Sequence, residues 1–439
     1  MMEQGVLLPH QCLLLTSAAE LARERPSSAV SALLDDPAMS WPDLVADSVR
    51  HGTATLLAQQ FQQLAALPGV PQDVLNCLDR IYIANGKRND LLFAETGRLI
   101  RALDAAGIKS LVLKGVALAL TVYPEHALRN FADIDLLVKE EEFERAGNLM
   151  TKMGFERLGG EPHARQQEVG YQRDCGQDIL TETLAGEFDP RITPELLEGC
   201  RSLIKVEIHR SVLREPDRFT READMEPFWD GARSAALPDG TAFWYPSDES
   251  MLVHLCDHAA GHGFRRLLFP VDVAILLHVR GEAIDWGRAG ALATHCGASG
   301  SVRRMLVFLR DQFEDTSLTD VITGWLPAEQ CSGEYVDVRP EDVFRAAQMD
   351  DRDMVYAQVF AELRDFRRWR GFLHSLRHAL LPPPEVVRAN HKIEDRAALA
   401  RFYACRPFNL AAHVIHVACR RQRLNRTRGG SSGRAGVST

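Results

Sequence analysis

The sequence predicts an α+β fold, with a small strand-bearing core at residues 101–215 set between helical regions. Two patterns predict it. Apolar residues recur at helical spacing before residue 100 and again over 216–400, whereas short β-branched apolar runs cluster between them. A third observation locates the chemistry: Asp133 and Asp135 interrupt one of those runs, made by Ile134, Leu136, Leu137 and Val138.

The helical spacing starts in "WPDLVADSVRHGTATLLAQQFQQLAAL" and resumes in "VLNCLDRIYIANGKRNDLLFAETGRLIRALDAAG", with Pro68 and Pro71 breaking between them. Gly107 is placed to cap the second stretch, because a residue just past a helix end must often take a left-handed conformation. "IKSLVLK" (108–114) then reads as a buried strand, "GVALALTVY" as a helix starting at Gly115 and ending before Pro124, and "DIDLLVK" as a second strand. "EEEFERAGNLMTKMG" is an amphipathic helix whose first turn holds acids, where the helix dipole favours them. "QQEVGYQR" is a candidate strand and "ITPELLEG" a candidate helix. "SLIKVEIHRSV" (202–212) alternates at Ile204, Val206 and Ile208, as a strand does. Beyond 216 the reading is helical throughout, in "SDESMLVHLCDHAAGHGF" behind Ser247, "RRLLFPVDVAILLHVRG", "IDWGRAGALATHCG" and "SVRRMLVFLRDQF". Residues 401–439 read as a terminal helix followed by a basic, Gly/Ser-rich tail without acids, expected to be disordered.

A chain of 439 residues suggests two or three cooperating units. The net charge of -9 is the wrong sign for a nucleic-acid footprint over the whole protein and argues against such a partner. The nine cysteines are scattered with no C-x-x-C spacing, so they read as reduced thiols of a cytoplasmic protein. The N-terminus has an acid at Glu3, no basic n-region and an interruption at Pro9–Gln11, unlike a signal peptide. "LLFPVDVAILLHV" is too short to span a bilayer and carries Asp272, so no membrane partner is expected.

In a strand, side chains two apart share a face, which makes neighbours of Asp133 and Asp135. Their repulsion calls for a cation, and two carboxylates are a common Mg²⁺ anchor. The pair alone also fits a solvent-facing strand edge. Glu207, flanked by Val206 and Ile208, could lie beside the aspartates in a sheet, and His209 shares its face. His254, His258 and His262 recur at i, i+4 and i+8 on one helix face, with three readings open: metal ligands, packing groups, or a wall of a binding site. Asp272, in an apolar run, needs a partner if buried, and Arg265, Arg266 or one of those histidines is a candidate.

The segment "LVLKGVALALTVYPEHALRNFADIDLLV", with a helix ending in "GF" and a later "KVEIHR", resembles the nucleotidyltransferase superfamily. Within it, the L-K-G strand end and R-x-x-x-D-I-D-L-L-V resemble a broad, uncharacterised nucleotidyltransferase-like family, over roughly residues 40–310. The resemblance implies a mixed sheet with the acids on adjacent strands, Mg²⁺ held by Asp133, Asp135 and Glu207, and an NTP as co-substrate. It implies transfer of NMP to a hydroxyl of a small molecule, peptide or protein. Glu207 would be a metal ligand or the base for that hydroxyl. Lys114 and Arg129 would meet the triphosphate, and Gly115 would let the backbone approach phosphates. From their spacing rather than from the resemblance, His209, His258 and His262 are the further candidates for contact with the nucleotide. Gly115 is followed by Val116, where the superfamily has Gly or a phosphate-holding Ser. That departure keeps a second reading open: a fold retained to bind nucleotide or a partner without transfer. The acceptor, the base preference and the oligomeric state leave no mark in the sequence.

Overall fold

A computed structural model describes residues 7–22, 28–64, 69–158, 167–176, 203–212, 224–325, 338–348 and 395–408, with isolated positions 381, 384 and 387. "ITPELLEG" and the basic tail lie outside the described residues. Met1–Leu158 and Arg165–Gln348 form one compact unit; Gly159–Ala164 and Met349–Thr439 belong to a second. The elements described below all lie in the first.

Five helices lead in: α1 Pro9–Ala22, α2 Ser28–Leu34, α3 Trp41–Arg50, α4 Ala54–Gln63 and the 34-residue α5, Gln72–Ala105. The break between α3 and α4 falls at Gly52, whose φ of 73° only glycine adopts without strain. Helix α5 is about 50 Å long and ends in a Schellman motif. Ile108 N–H donates to the Leu103 carbonyl and Gly107 N–H to Asp104, with Gly107 at a φ of 72°.

The core alternates strands and helices: β1 Ser110–Val112, α6 Lys114–Thr121, β2 Asp133–Val138, α7 Phe143–Lys152, β3 Glu156–Arg157, β4 Glu168–Asp174 and β5 Leu203–His209. After a short helix α8 (Glu226–Trp229) comes a hairpin, β6 Arg233–Ala236 and β7 Ala242–Tyr245. The seven strands make one sheet in the order β3-β4-β5-β2-β1-β7-β6. Strands β2 and β5, and β1 and β7, pair parallel and the rest antiparallel, so the sheet is mixed. The α+β class with helical flanks therefore stands. The hairpin corrects the all-helical reading of 216–400. Its strands are four residues each, too short for a periodicity signal, although the turn dipeptide Asp239–Gly240 marks it. Helices α9 Asp248–Gly261, α10 Leu268–Arg280, α11 Trp286–His295, α12 Ser299–Gln312, α13 Leu318–Trp325 and α14 Pro340–Ala346 follow. The Ser247 side chain accepts from Ser250 N–H and the Asp285 side chain from Arg288 N–H, capping α9 and α11.

Alternation sorts the central strands into two faces. Ile134, Leu136, Ile204, Val206, Ile208, Val169 and Tyr171 are buried on one. Asp133, Asp135, Glu207, His209 and Glu168 share the other, by strand parity and by the registers Asp135↔Glu207 and Glu168↔His209. None of the described helices is long and apolar enough to cross a membrane. The described cysteines Cys12, Cys77, Cys175, Cys256, Cys296 and Cys405 are free thiols.

His51, at the end of α3, is 1% exposed and stacks edge-on against Phe344, with ring centroids 4.5 Å apart. Burial lowers its pKa to about 4, and only part of that is offset by Asp47. The unfolded imidazole binds its proton near 6.5, so the contribution of this group is complete above that pH and is lost as pH falls toward 4. Stability at pH 5 is expected to be about 2 kcal/mol lower than at pH 7 on account of His51 alone. Urea midpoints at the two pH values check this; a His51→Asn variant that keeps the whole pH slope contradicts it.

Candidate active site

The loop entering β2 is held before any catalytic group is placed. Asn85 and Asn89, one turn apart on α5, donate their side-chain amides to the carbonyls of Ala127 and Arg129 (2.8 and 3.1 Å) and of His126 and Arg129 (2.6 and 3.0 Å). Arg88 reaches the Ala132 carbonyl at 3.1 Å, and the Thr55 hydroxyl donates to Leu128. The carbonyls of residues 126–129 and 132 are thus engaged where the chain enters the strand.

Asp135, 2% exposed, lies at the centre of the polar face. Lys114 Nζ is 2.9 Å and His209 Nε2 3.0 Å from the same Asp135 oxygen. His209 Nε2 is also 3.5 Å from Glu207, and its Nδ1 is 3.2 Å from Glu168. Burial alone would raise the pKa of Asp135, but Lys114 and His209 hold it well below the usual carboxylate range. Lys114 is held charged in turn, because Asp135, Asp133 and Glu207 outweigh its burial. His209 is raised well above its usual value, its burial overcome by hydrogen bonds to Asp135, Glu168 and Glu207. Asp133, half-buried, goes the other way: burial and the charge of Asp135 push it up to about 6. Two carboxylates on one strand therefore differ in their readiness to take a proton, the arrangement acid–base chemistry uses.

Lys114 opens α6 with a φ of 32°, a left-handed conformation costly for a side-chain-bearing residue. Strain of this kind collects at functional sites, where the surroundings hold it. The next residue, Gly115, was expected to admit phosphates. What it admits is the Phe131 ring, which a Cβ at 115 would meet at 2.9 Å. Gly115→Ala is expected to cost about 1–3 kcal/mol by overpacking, read as a lower urea midpoint; an unchanged midpoint would show that Phe131 moves freely.

Arg129 was expected to face a triphosphate. It is buried, and its Nε and a terminal nitrogen pair bidentately with Asp272 at 2.9 and 2.8 Å. The Tyr123 hydroxyl donates to the same carboxylate at 2.7 Å. The partner of Asp272 is thus Arg129, from the loop before β2, rather than Arg265, Arg266 or a histidine of α9. This pair ties the D-x-D strand to α10.

The histidines of α9 and its end run side by side, with ring centroids 6.0 Å apart for His254–His258 and 4.4 Å for His258–His262, and with Phe269 against the last two. Burial, then the field of Lys114, keeps His258 neutral; burial, then Arg265 and Lys114, lowers His262 to about 4. Among the described residues the one group of three or more side chains placed to hold a metal ion is Asp135, Glu207 and His209, whose ligand atoms lie within 4.8 Å of one another. The two carboxylate oxygens fit a divalent cation, whereas His209, held protonated by its acidic neighbours, would have to lose its proton before its nitrogen could join them. Asp133 lies outside that group, two residues before Asp135 on the same face. Sequence reasoning missed Glu168, because the pairing of an antiparallel strand across an intervening segment has no local signal.

A family model described as uncharacterised nucleotidyltransferase matches residues 37–314. No curated protein and no solved structure was found to match the chain.

Proposed function

The chain belongs to the uncharacterised nucleotidyltransferase family, and from that premise we propose that it moves NMP from an NTP, ATP foremost, to a hydroxyl of a small molecule, peptide or protein. The observation that carries this reading is the in-register placement of Asp135 and Glu207 on adjacent parallel strands, with Lys114 at 2.9 Å from Asp135. Asp135 and Glu207, with Asp133 beside them and His209 against both, would hold Mg²⁺. A cation held by these residues would supply Lewis-acid polarisation of the α-phosphate and charge neutralisation for the leaving pyrophosphate. Lys114, kept charged by the acids, is the side chain available to phosphate oxygens, while Arg129 is committed to Asp272. Glu207, in register with Asp135 and one-third exposed, would be a metal ligand or the base that takes the acceptor's proton. A cytoplasmic setting, where NTPs and Mg²⁺ abound, fits the free thiols.

Incubation with α-labelled ATP, CTP, GTP and UTP, Mg²⁺ and fractionated acceptor mixtures should give a labelled product whose mass is raised by one nucleotidyl unit. Label transfer that survives Asp133→Ala combined with Asp135→Ala overturns the proposal. The second reading, binding without transfer, is favoured by Val116, buried in α6 where it offers no hydroxyl to a phosphate. Nucleotide binding by calorimetry with no transfer to any acceptor would select it.

A further inference from the structure

Besides Nδ1 of His209, which faces the Glu168 carboxylate at 3.2 Å, two buried polar atoms beside the site have no hydrogen-bond partner among the described residues: the Ser211 hydroxyl and Nε2 of His254. Such atoms are rare in folded proteins, and beside a candidate active site a ligand is the natural missing partner. The two are linked. Ser211 lies two residues beyond His209, and Nδ1 of His254 is 3.2 Å from the carbonyl of the next residue, Val212. A carbonyl only accepts, so Nδ1 carries the imidazole hydrogen and Nε2 presents a bare lone pair. His254 is 2% exposed, and burial, then the charge of Lys114, holds the ring neutral with a pKa of about 3. Nε2 is therefore an acceptor that protonation does not fill. Its only suitable partner is an O–H or N–H donor, while the Ser211 hydroxyl can both give and take a hydrogen bond.

We propose that Ser211 Oγ and His254 Nε2 form the sugar subsite of the bound nucleotide, Nε2 accepting from one ribose hydroxyl and Ser211 pairing with its neighbour. The inference rests on the nucleotidyl-transfer reading above. If the α-phosphate lies at Asp135 and Lys114, the ribose is the next unit of the same molecule, and Ser211 and the Val212 carbonyl that holds His254 lie two and three residues beyond His209 at the end of β5. An acceptor substrate, in contrast, must bring its hydroxyl to the phosphorus itself, among the carboxylates. The row continues through His258 and His262 to Phe269, an apolar and neutral-imidazole wall of the kind a nucleobase can lie against.

The test is calorimetric, on the full chain with Mg²⁺, using the α,β-methylene analogues of ATP, 2′-deoxyATP and 3′-deoxyATP, which bind without transfer. The wild-type protein is expected to bind the ribo analogue about tenfold more tightly than at least one deoxy analogue, the usual effect of leaving a buried acceptor unpaired. His254→Leu and Ser211→Ala are expected to bring that ratio close to one, and His254→Gln, which restores an acceptor, to recover part of it. Ser211→Ala removes one oxygen at a strand end, so the test survives if the His254 variant fails to fold. Equal binding of all three analogues by the wild type, or an unchanged ratio in both variants, overturns the subsite and leaves the transfer reading standing. Absence of binding by any analogue removes the nucleotide from the site and both readings with it.

Discussion

Asp135→Asn is expected to reduce nucleotidyl transfer at least about 100-fold, the scale on which loss of a charge-stabilising group at a phosphoryl centre is felt. The side chain remains almost isosteric, so the effect is electrostatic. One Asp135 oxygen receives both Lys114 Nζ and His209 Nε2, and the same carboxylate supplies a ligand atom of the candidate metal group. Replacing it with an amide leaves Lys114 and His209 without their common anion and opens the ligand set. Initial rates of label transfer against NTP concentration are the measurement, with circular dichroism to show an intact fold. The rate should fall, rather than the apparent affinity alone. Glu207→Gln should have the smaller effect, since its side chain is one-third exposed and water replaces part of what is lost. An Asp135→Asn protein within tenfold of wild type would remove this carboxylate from the chemistry.

The largest loss of stability is expected at a residue that touches no reacting group. Asp272→Ala leaves the Arg129 guanidinium 5% exposed with no counterion, and removal of one partner from a buried pair typically costs about 3–5 kcal/mol. The Tyr123 hydroxyl loses its acceptor in the same step. Urea unfolding of wild type, Asp272→Ala and the double variant Asp272→Ala with Arg129→Met separates the causes. The double variant should recover much of the loss, because the stranded charge is gone. If it is as unstable as the single variant, packing around Tyr123 rather than the buried cation sets the cost.

Much of the fold was legible where a single local signal repeats. The helices of both flanks announce themselves by apolar spacing, Gly107 by its place after a periodic stretch, and β5 by the alternation of Ile204, Val206 and Ile208. The D-x-D strand was legible because two acids in an apolar run contradict their surroundings. Pairing was harder to read. That Glu207 stands opposite Asp135 depends on register across some 70 residues, and parity alone leaves every even shift open. Arg129 illustrates the same limit. An arginine four residues before an acidic strand looks like a phosphate ligand, and its true partner lies 143 residues onward in α10. The hairpin of β6 and β7 escaped because four residues hold two alternations at most. His254 carried no local sign that one nitrogen is engaged and the other open.

Helix α5 holds the approach to the aspartates through the amides of Asn85 and Asn89. These donors carry no net charge and no proton that moves in the working pH range. Alongside the charged Arg129–Asp272 pair, this part of the loop's anchorage therefore does not depend on the electrical state of the site it serves. A proton or a cation arriving at the acids leaves the amide tether on residues 126–129 at its full strength. Salt that screens the exposed charges leaves it untouched as well. The protein thereby separates two tasks that one arginine would have joined: fixing where the carboxylates stand, and answering the charge that arrives there.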